Sequence, residues 1–247
     1  SISGLYSPGS TLKPLVALSA LEFNVITPKF VRKCEGSMEL YGQKYHCWKK
    51  KGHGYMALRN AIKQSCDIYF YEVARRLGVD RLSVTAKKFG MGNKVFDLFF
   101  EEKIGIVPNT EWKLKNIGKG WVLGETLITG IGQGYFQTTP IQICLMTAQL
   151  ANGGYKIKPR IIDDQDAIQP IIESWRNEFA LRNEDNTKND EQIIKKTSDL
   201  IKLYRNPENI KFVLDALYGA TNEPMGTSYR SRHTKEEYIY AGKTGTS

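Results

Sequence analysis

Three short motifs, set far apart along the chain, constrain its fold more than any other feature. Ser10-Thr11-Leu12-Lys13 lies near the start, Ser65-Cys66-Asp67 follows much further on, and Lys243-Thr244-Gly245-Thr246 closes the sequence. Each motif is common by chance when taken alone. In this order, S-x-x-K, then S-x-D, then K-T-G form a set whose parts divide one chemical task among them. They are useful together only if the fold brings them into one cleft.

A serine hydroxyl is a weak nucleophile and needs a base beside it. None of the three motifs contains histidine, which leaves lysine for that role. Ser10 is the expected nucleophile. Lys13, one helical turn on and on the same face, is the expected base, at a spacing that permits a hydrogen bond between them. Lys243 supplies a neighbouring positive charge, and Ser65 relays a proton between Lys13 and the leaving group. Asp67 stands where this motif usually carries Asn, and can orient Lys13 by a charge-assisted hydrogen bond. Lys243, Thr244 and Thr246 offer a cation and two hydroxyls to a substrate carboxylate. Gly245 leaves room for an extended substrate backbone to approach. The backbone N–H groups of Ser10 and Thr246 are the natural pair for an oxyanion.

The chain has 247 residues, 41% hydrophobic and 25% charged. That composition and length suit one large globular domain whose core needs neither a disulfide nor a metal simply to fold. No apolar run reaches the roughly 18 residues of a membrane span, and no secretory leader opens the sequence. Both ends read as cut edges of a longer protein, so any anchor would lie outside them. A strand before Ser10 and one after Thr246 are expected to be missing. The formal charge of +9 suits an anionic partner or a lysine-biased surface. No zinc-finger, RNP or helix-turn-helix pattern accompanies it, so nucleic acid is not expected.

Residues 10–23 have helical apolar spacing, with Pro14 tolerated in the first turn. Residues 24–52 read as loop and short strands. Residues 56–77 read as helix, broken at Ser65-Cys66-Asp67, and residues 80–90 as a second helix ending at Gly90. A Gly-rich aromatic loop region is expected to residue 136. Thr138 or Thr139 caps a helix from Pro140 to Ala151. Residues 155–162 alternate as a strand, 163–210 form a charged surface insertion or helix pair, and 207–220 a helix. Residues 238–243 read as a strand that delivers K-T-G. Trp48, Trp121 and Tyr135 either line the cleft or pack. Cys144, on an apolar helix, is expected in the core.

Several segments resemble class B penicillin-binding proteins. Pro8-Gly9-Ser10-Thr11-Leu12-Lys13-Pro14 resembles their nucleophile motif. Trp48-Lys49-Lys50-Lys51-Gly52-His53-Gly54, Ser65 to Tyr71, Gly130 to Tyr135 and Thr139-Pro140-Ile141-Gln142 are similar to segments of the penicillin-binding protein 2 group. The likeness is weakest over 163–235. It implies an α+β fold, a five-stranded antiparallel sheet flanked by helices with an all-helical subdomain. Residues 1–247 would be one transpeptidase domain, the preceding anchor and pedestal lying outside the chain. It implies a periplasmic domain of an inner-membrane-anchored D,D-transpeptidase of cell elongation. Ser10 would be acylated by a stem peptide ending in D-Ala-D-Ala, and β-lactams would acylate it too. Implied partners are an MreC scaffold and a rod-shape glycosyltransferase. No cofactor is implied for catalysis.

Cys34, Cys47, His53 and Cys66 are three thiols and an imidazole, a complete tetrahedral set at spacings unlike those of zinc fingers. The resemblance implies a structural zinc at these positions, where related proteins use Asp, Asp, His and Cys. Softer ligands favour zinc further. A Cys34–Cys47 disulfide and inert buried thiols are the competing readings, and His46 competes with Cys47 as a ligand. For the function, a D,D-carboxypeptidase, a serine β-lactamase and a non-catalytic penicillin-recognising scaffold remain the alternatives.

Overall fold

The computed structural model describes residues 1–96, 99–159 and 200–246. Gly9–Leu12 forms a 3-10 turn that runs directly into helix α1 (Lys13–Glu22). Every residue of α1 from Lys13 to Leu21 is buried, so this is the central helix of the molecule rather than a surface one. Pro14 sits in its first turn, where no intrahelical N–H is lost. Each fully buried leucine here contributes about 1.5–3 kcal/mol of transfer free energy.

Two antiparallel ribbons follow. Strand β1 (Val31–Cys34) pairs with β4 (Gly54–Ala57), with Cys34 opposite Gly54. Strands β2 (Ser37–Leu40) and β3 (Gln43–His46) form a hairpin. The expected break in the next helix is real. Helix α2 (Leu58–Lys63) ends, Ser65 takes a left-handed φ of 54°, and α3 (Asp67–Leu77) begins. Left-handed backbone is uncommon for a residue with a Cβ, and Ser65 is held there by the contacts described below. Helix α4 (Val79–Lys88) packs on α1 and α3.

The region expected to be loop up to residue 136 instead contains α5 (Thr110–Ile117) and α6 (Leu123–Gly130). Asn109 caps α5 by accepting the Trp112 N–H at 2.7 Å. Helix α6 packs closely on α3, where a Cβ on Gly130 would collide with Ala74. Helix α7 (Pro140–Ala151) starts as expected, with Thr139 and Gln142 exchanging capping bonds. Its buried face carries Gln142, Leu145, Met146, Gln149 and Leu150. Cys144 falls off that face and is exposed, contrary to the expectation of a core residue. Helix α8 (Pro207–Asn222) packs on α2 through Arg59, which reaches Asp215 and Glu223, and through Lys63 on Glu223 at 2.7 Å.

Three strand expectations need correction. Among the described residues the sheets are the two ribbons only, not a five-stranded sheet. Tyr155 makes an isolated bridge to Lys202 and its neighbours form no strand, and residues 160–162 lie outside the described residues. Residues 238–243 hold a 3-10 turn ending at Tyr238 and then irregular chain. An alternating pattern becomes a strand only by pairing, and here the Gly242 N–H bonds the Leu217 carbonyl of α8 instead. Residues 163–199 of the charged segment also lie outside the described residues.

Candidate active site

Ser10 sits in the 3-10 turn, half-buried, and Lys13 begins α1, fully buried. A glycine pair shapes this turn. The Gly9 N–H bonds the Gly132 carbonyl at 2.8 Å. At Gly132, φ is +76° and a Cβ would run into the Gly9 backbone. The Ser10 turn therefore leans on the Gly130–Tyr135 segment at a distance only glycine allows.

The Lys13 ammonium is turned toward the S-x-D loop. It donates to Asp67 Oδ1 at 2.7 Å, to the Ser65 carbonyl at 2.9 Å and to Ser65 Oγ at 3.1 Å, and lies 5.5 Å over the ring of Phe70. The direct Ser10–Lys13 bond that the spacing permits is not made. Three acceptors take the three N–H groups, and among the described residues the Ser10 hydroxyl has no hydrogen-bond partner. Asp67, in the first turn of α3, also sits where the helix dipole favours a carboxylate.

Lys243 closes the arrangement from the other side. Its Nζ donates to the same Ser65 Oγ at 2.9 Å and to the Thr244 carbonyl at 2.9 Å. The Ser65 oxygen thus accepts from two lysines, which leaves its own hydrogen free to donate. Burial, then the charge on Lys13, lowers the Lys243 pKa to about 7, against a smaller upward pull from Asp67. Thr244 Oγ1 lies 3.0 Å from Thr227 Oγ1. Gly245 passes so close to the Ser10 turn that a Cβ there would lie 2.8 Å from Thr11 Cγ2. Thr246 is exposed at the mouth of the site. All three motifs therefore meet, although K-T-G arrives on irregular chain.

Behind this network, Cys34, Cys47, His53 and Cys66 offer ligand atoms that all lie within 4.8 Å of one another. His53 Nδ1 is 3.5 Å from Cys47 Sγ and 3.6 Å from Cys34 Sγ. All four cysteines of the chain are free thiols, so the Cys34–Cys47 disulfide is not formed. His46 is exposed on β3 and points away, which leaves Cys47 as the inward residue. The Cys66 thiol donating to it pushes the pKa of Cys47 down, while that bond and burial push Cys66 up. A thiol whose pKa is pushed down beside other sulfurs and an imidazole suits a soft cation. Three sulfurs and one nitrogen at this spacing fit tetrahedral zinc.

Of the aromatics, Trp48 lies against the S-x-D loop. Trp121 and Tyr135 instead meet each other at 6.3 Å, and both flank the buried Lys113, which bonds the Gly120 carbonyl and Glu125. Tyr135 and Tyr45 also line a cavity of about 360 Å³ between the β2–β3 hairpin and α6. Phe70 beneath Lys13 is legible in the sequence only as part of the Ser65–Tyr71 segment, with no place in the site, and Thr227 beside Thr244 carries no signal there. Both join the site only once α3 and the segment after α8 are in place.

Over residues 1–247 the chain matches the model of the penicillin binding protein transpeptidase domain. It is 35% identical over 246 residues to the peptidoglycan D,D-transpeptidase MrdA of Salmonella typhimurium (strain LT2), covering 99% of this chain and 36% of that protein. With MrdA of Escherichia coli (strain K12) it shares 34% identity over 248 residues, covering 98% of this chain and 35% of that one. The chain thus spans about a third of the length of these curated relatives. Among solved structures it is similar to Pseudomonas aeruginosa PBP2 in complex with WCK 5153, with TM-score 0.80, 37% identity, and coverage of 99% of this chain and 51% of that one. It is also similar to PBP2 of Helicobacter pylori in complex with MreC, with TM-score 0.78, 32% identity, and coverage of 99% and 40%.

Proposed function

Because the chain belongs to the penicillin-binding protein transpeptidase family, we propose that it is the acyl-transferring domain of a peptidoglycan D,D-transpeptidase of cell elongation. The observation that carries this reading is the single hydroxyl of Ser65 held between two lysines, Lys13 at 3.1 Å and Lys243 at 2.9 Å, beside the Ser10 turn. Ser10 Oγ attacks the carbonyl carbon of the penultimate D-Ala of a stem peptide. Lys13, acting as the free amine, takes the Ser10 proton and passes one to Ser65, which gives its own hydroxyl proton to the departing nitrogen. The peptide C–N bond breaks and D-Ala leaves. An amine of a neighbouring stem then attacks the acyl-enzyme, gives up its proton along the same route, and restores Ser10. Lys243, Thr244 and Thr246 receive the substrate carboxylate, Gly245 admits its backbone, and the Ser10 and Thr246 N–H groups hold the oxyanion. A β-lactam opens at the same carbonyl, but its leaving nitrogen stays tethered and blocks the second attack.

Cys34, Cys47, His53 and Cys66 would hold a structural zinc that ties the 34–54 segment to the Ser65 loop and takes no part in the chemistry. No cofactor is invoked for catalysis. Among the described residues no helix is long and apolar enough to cross a membrane, so the periplasmic address and inner-membrane anchor rest on the family reading. The partners proposed are an MreC scaffold, as captured for the Helicobacter pylori protein, and a rod-shape glycosyltransferase. The test is cross-linking of a D-Ala-D-Ala donor to an amine acceptor. Release of D-Ala with formation of the amide supports the reading, whereas release to water alone would make the protein a carboxypeptidase.

A further inference from the structure

Lys13 and Trp48 approach the S-x-D loop from two directions and bond the same two residues. The Ser65 carbonyl accepts Lys13 Nζ at 2.9 Å and the Trp48 indole N–H at 3.1 Å. The Asp67 carboxylate accepts Lys13 on Oδ1 at 2.7 Å and the Trp48 backbone N–H on Oδ2 at 2.9 Å. The indole N–H is shared with the Gln64 carbonyl at 3.1 Å. The Trp48 ring meets His53 edge to face at 5.2 Å, which sets its angle. Yet 59% of the residue is exposed. An exposed tryptophan held by one bifurcated bond, one backbone bond and one ring contact is not a core residue.

We propose that Trp48 is a positioning residue for the acyl-transfer reaction, and this rests on the transpeptidase reading above. Ser65 sits in left-handed backbone, and its carbonyl faces Lys13 only while that conformation lasts. The Trp48 indole gives that carbonyl a second donor and so holds the peptide against relaxing. Its backbone N–H fixes the carboxylate plane of Asp67 while Oδ1 aims at Lys13. Trp48 acts through Ser65 and Asp67, and among the described residues it makes no hydrogen bond to Ser10 or Lys243.

The test removes the indole N–H and little else. In the whole protein, Trp48 is replaced by β-(benzothiophen-3-yl)alanine, which keeps the fused ring and lacks the N–H, and separately by Phe. Penicillin acylation is resolved into its pre-acylation dissociation constant and its acylation rate constant, and melting is followed beside it. Losing one such bond is expected to slow acylation about threefold to tenfold, with the dissociation constant and melting temperature unchanged. An unchanged rate constant, or a change in the dissociation constant alone, would overturn the proposal and make Trp48 a wall of the cleft. A second readout does not depend on acylation: the indole proton of Trp48 in 15N-indole-labelled wild-type protein should exchange with solvent far more slowly than a free indole. Fast exchange would overturn the clamp. Slow exchange in a protein that penicillin cannot acylate would uphold the clamp and sink the transpeptidase reading instead.

Discussion

Lys243 is where single-residue chemistry is most exposed to test. Its pKa is lowered to about 7 by burial and by the charge on Lys13, so near neutrality it is divided between ammonium and amine. A bound carboxylate favours the ammonium. Penicillin binding should therefore take up a proton above about pH 7, and the pre-acylation dissociation constant should weaken as pH rises through that value. Lys243→Arg, charged throughout, should flatten the dependence. A profile as steep in the variant as in the wild type would assign the titration elsewhere. Asp67 is the other informative position. Asp67→Asn removes the charge opposite Lys13 and leaves one acceptor oxygen where two are used, so either Lys13 or the Trp48 N–H loses its partner and faces the amide NH2. Acylation should fall by about one order of magnitude, the scale of a charge-assisted bond of about 1.5–3 kcal/mol lessened but not abolished, as measured by the rate of penicillin adduct formation. That Lys13, Ser65 and Lys243 belong to one site was legible in the sequence, because a serine hydroxyl without histidine needs lysines beside it, and the two lysines do meet on the Ser65 hydroxyl. The target of the Lys13 ammonium was only half legible. Spacing along a helix places it near Ser10, but three acceptors on the neighbouring loop draw it away.

At the scale of elements, the site depends on close approaches between backbone segments. Gly132→Ala would force a Cβ into the Gly9 backbone at a φ of +76°, so the Ser10 turn must shift. Slower acylation together with a lower melting temperature is expected. A variant that acylates normally would show that the turn does not need this buttress. The tie between α2 and α8 is electrostatic, and bonds to Arg59 and then Lys63 hold the Glu223 carboxyl down at about 2, from an ordinary 4.5. A lowered folded-state value adds stability that is present above about pH 4.5 and lost as pH falls through about 2. The melting difference between wild type and Glu223→Gln should shrink across that window, and a constant difference would contradict the tie. Helices α1, α3 and α7 were readable from apolar spacing and capping residues. Helices α5 and α6 were hidden because each is two turns long among glycines and aromatics, although Asn109 and the left-handed Gly118 do bracket α5. The strand expected at 238–243 failed for a different reason: pairing is non-local, and alternation in one segment cannot report whether a partner lies alongside.

For the molecule as a whole, the central question is how two buried clusters share one loop. Cys66 belongs to the sulfur–imidazole cluster, and its neighbours Ser65 and Asp67 belong to the hydrogen-bond network of Lys13. If zinc occupies the four ligands, native mass spectrometry should show one retained ion per chain, lost in Cys34→Ser. Chelation should lower the melting temperature and slow acylation together, because the loop that aims Ser65 loosens. A metal-free protein with unchanged melting would make the cluster a set of inert thiols. The sequence named the four residues, but only the family resemblance implied their convergence, since their spacing matches no local motif and closure depends on β1 pairing with β4. The account as a whole stands on Ser10 as the acylated nucleophile. The most direct measurement is intact-mass spectrometry after incubation with benzylpenicillin, wild type beside Ser10→Ala. A persistent adduct of one penicillin on the wild type, absent from the variant, is the predicted result. An adduct that survives in Ser10→Ala, or one that turns over rapidly with release of hydrolysed drug, would contradict it.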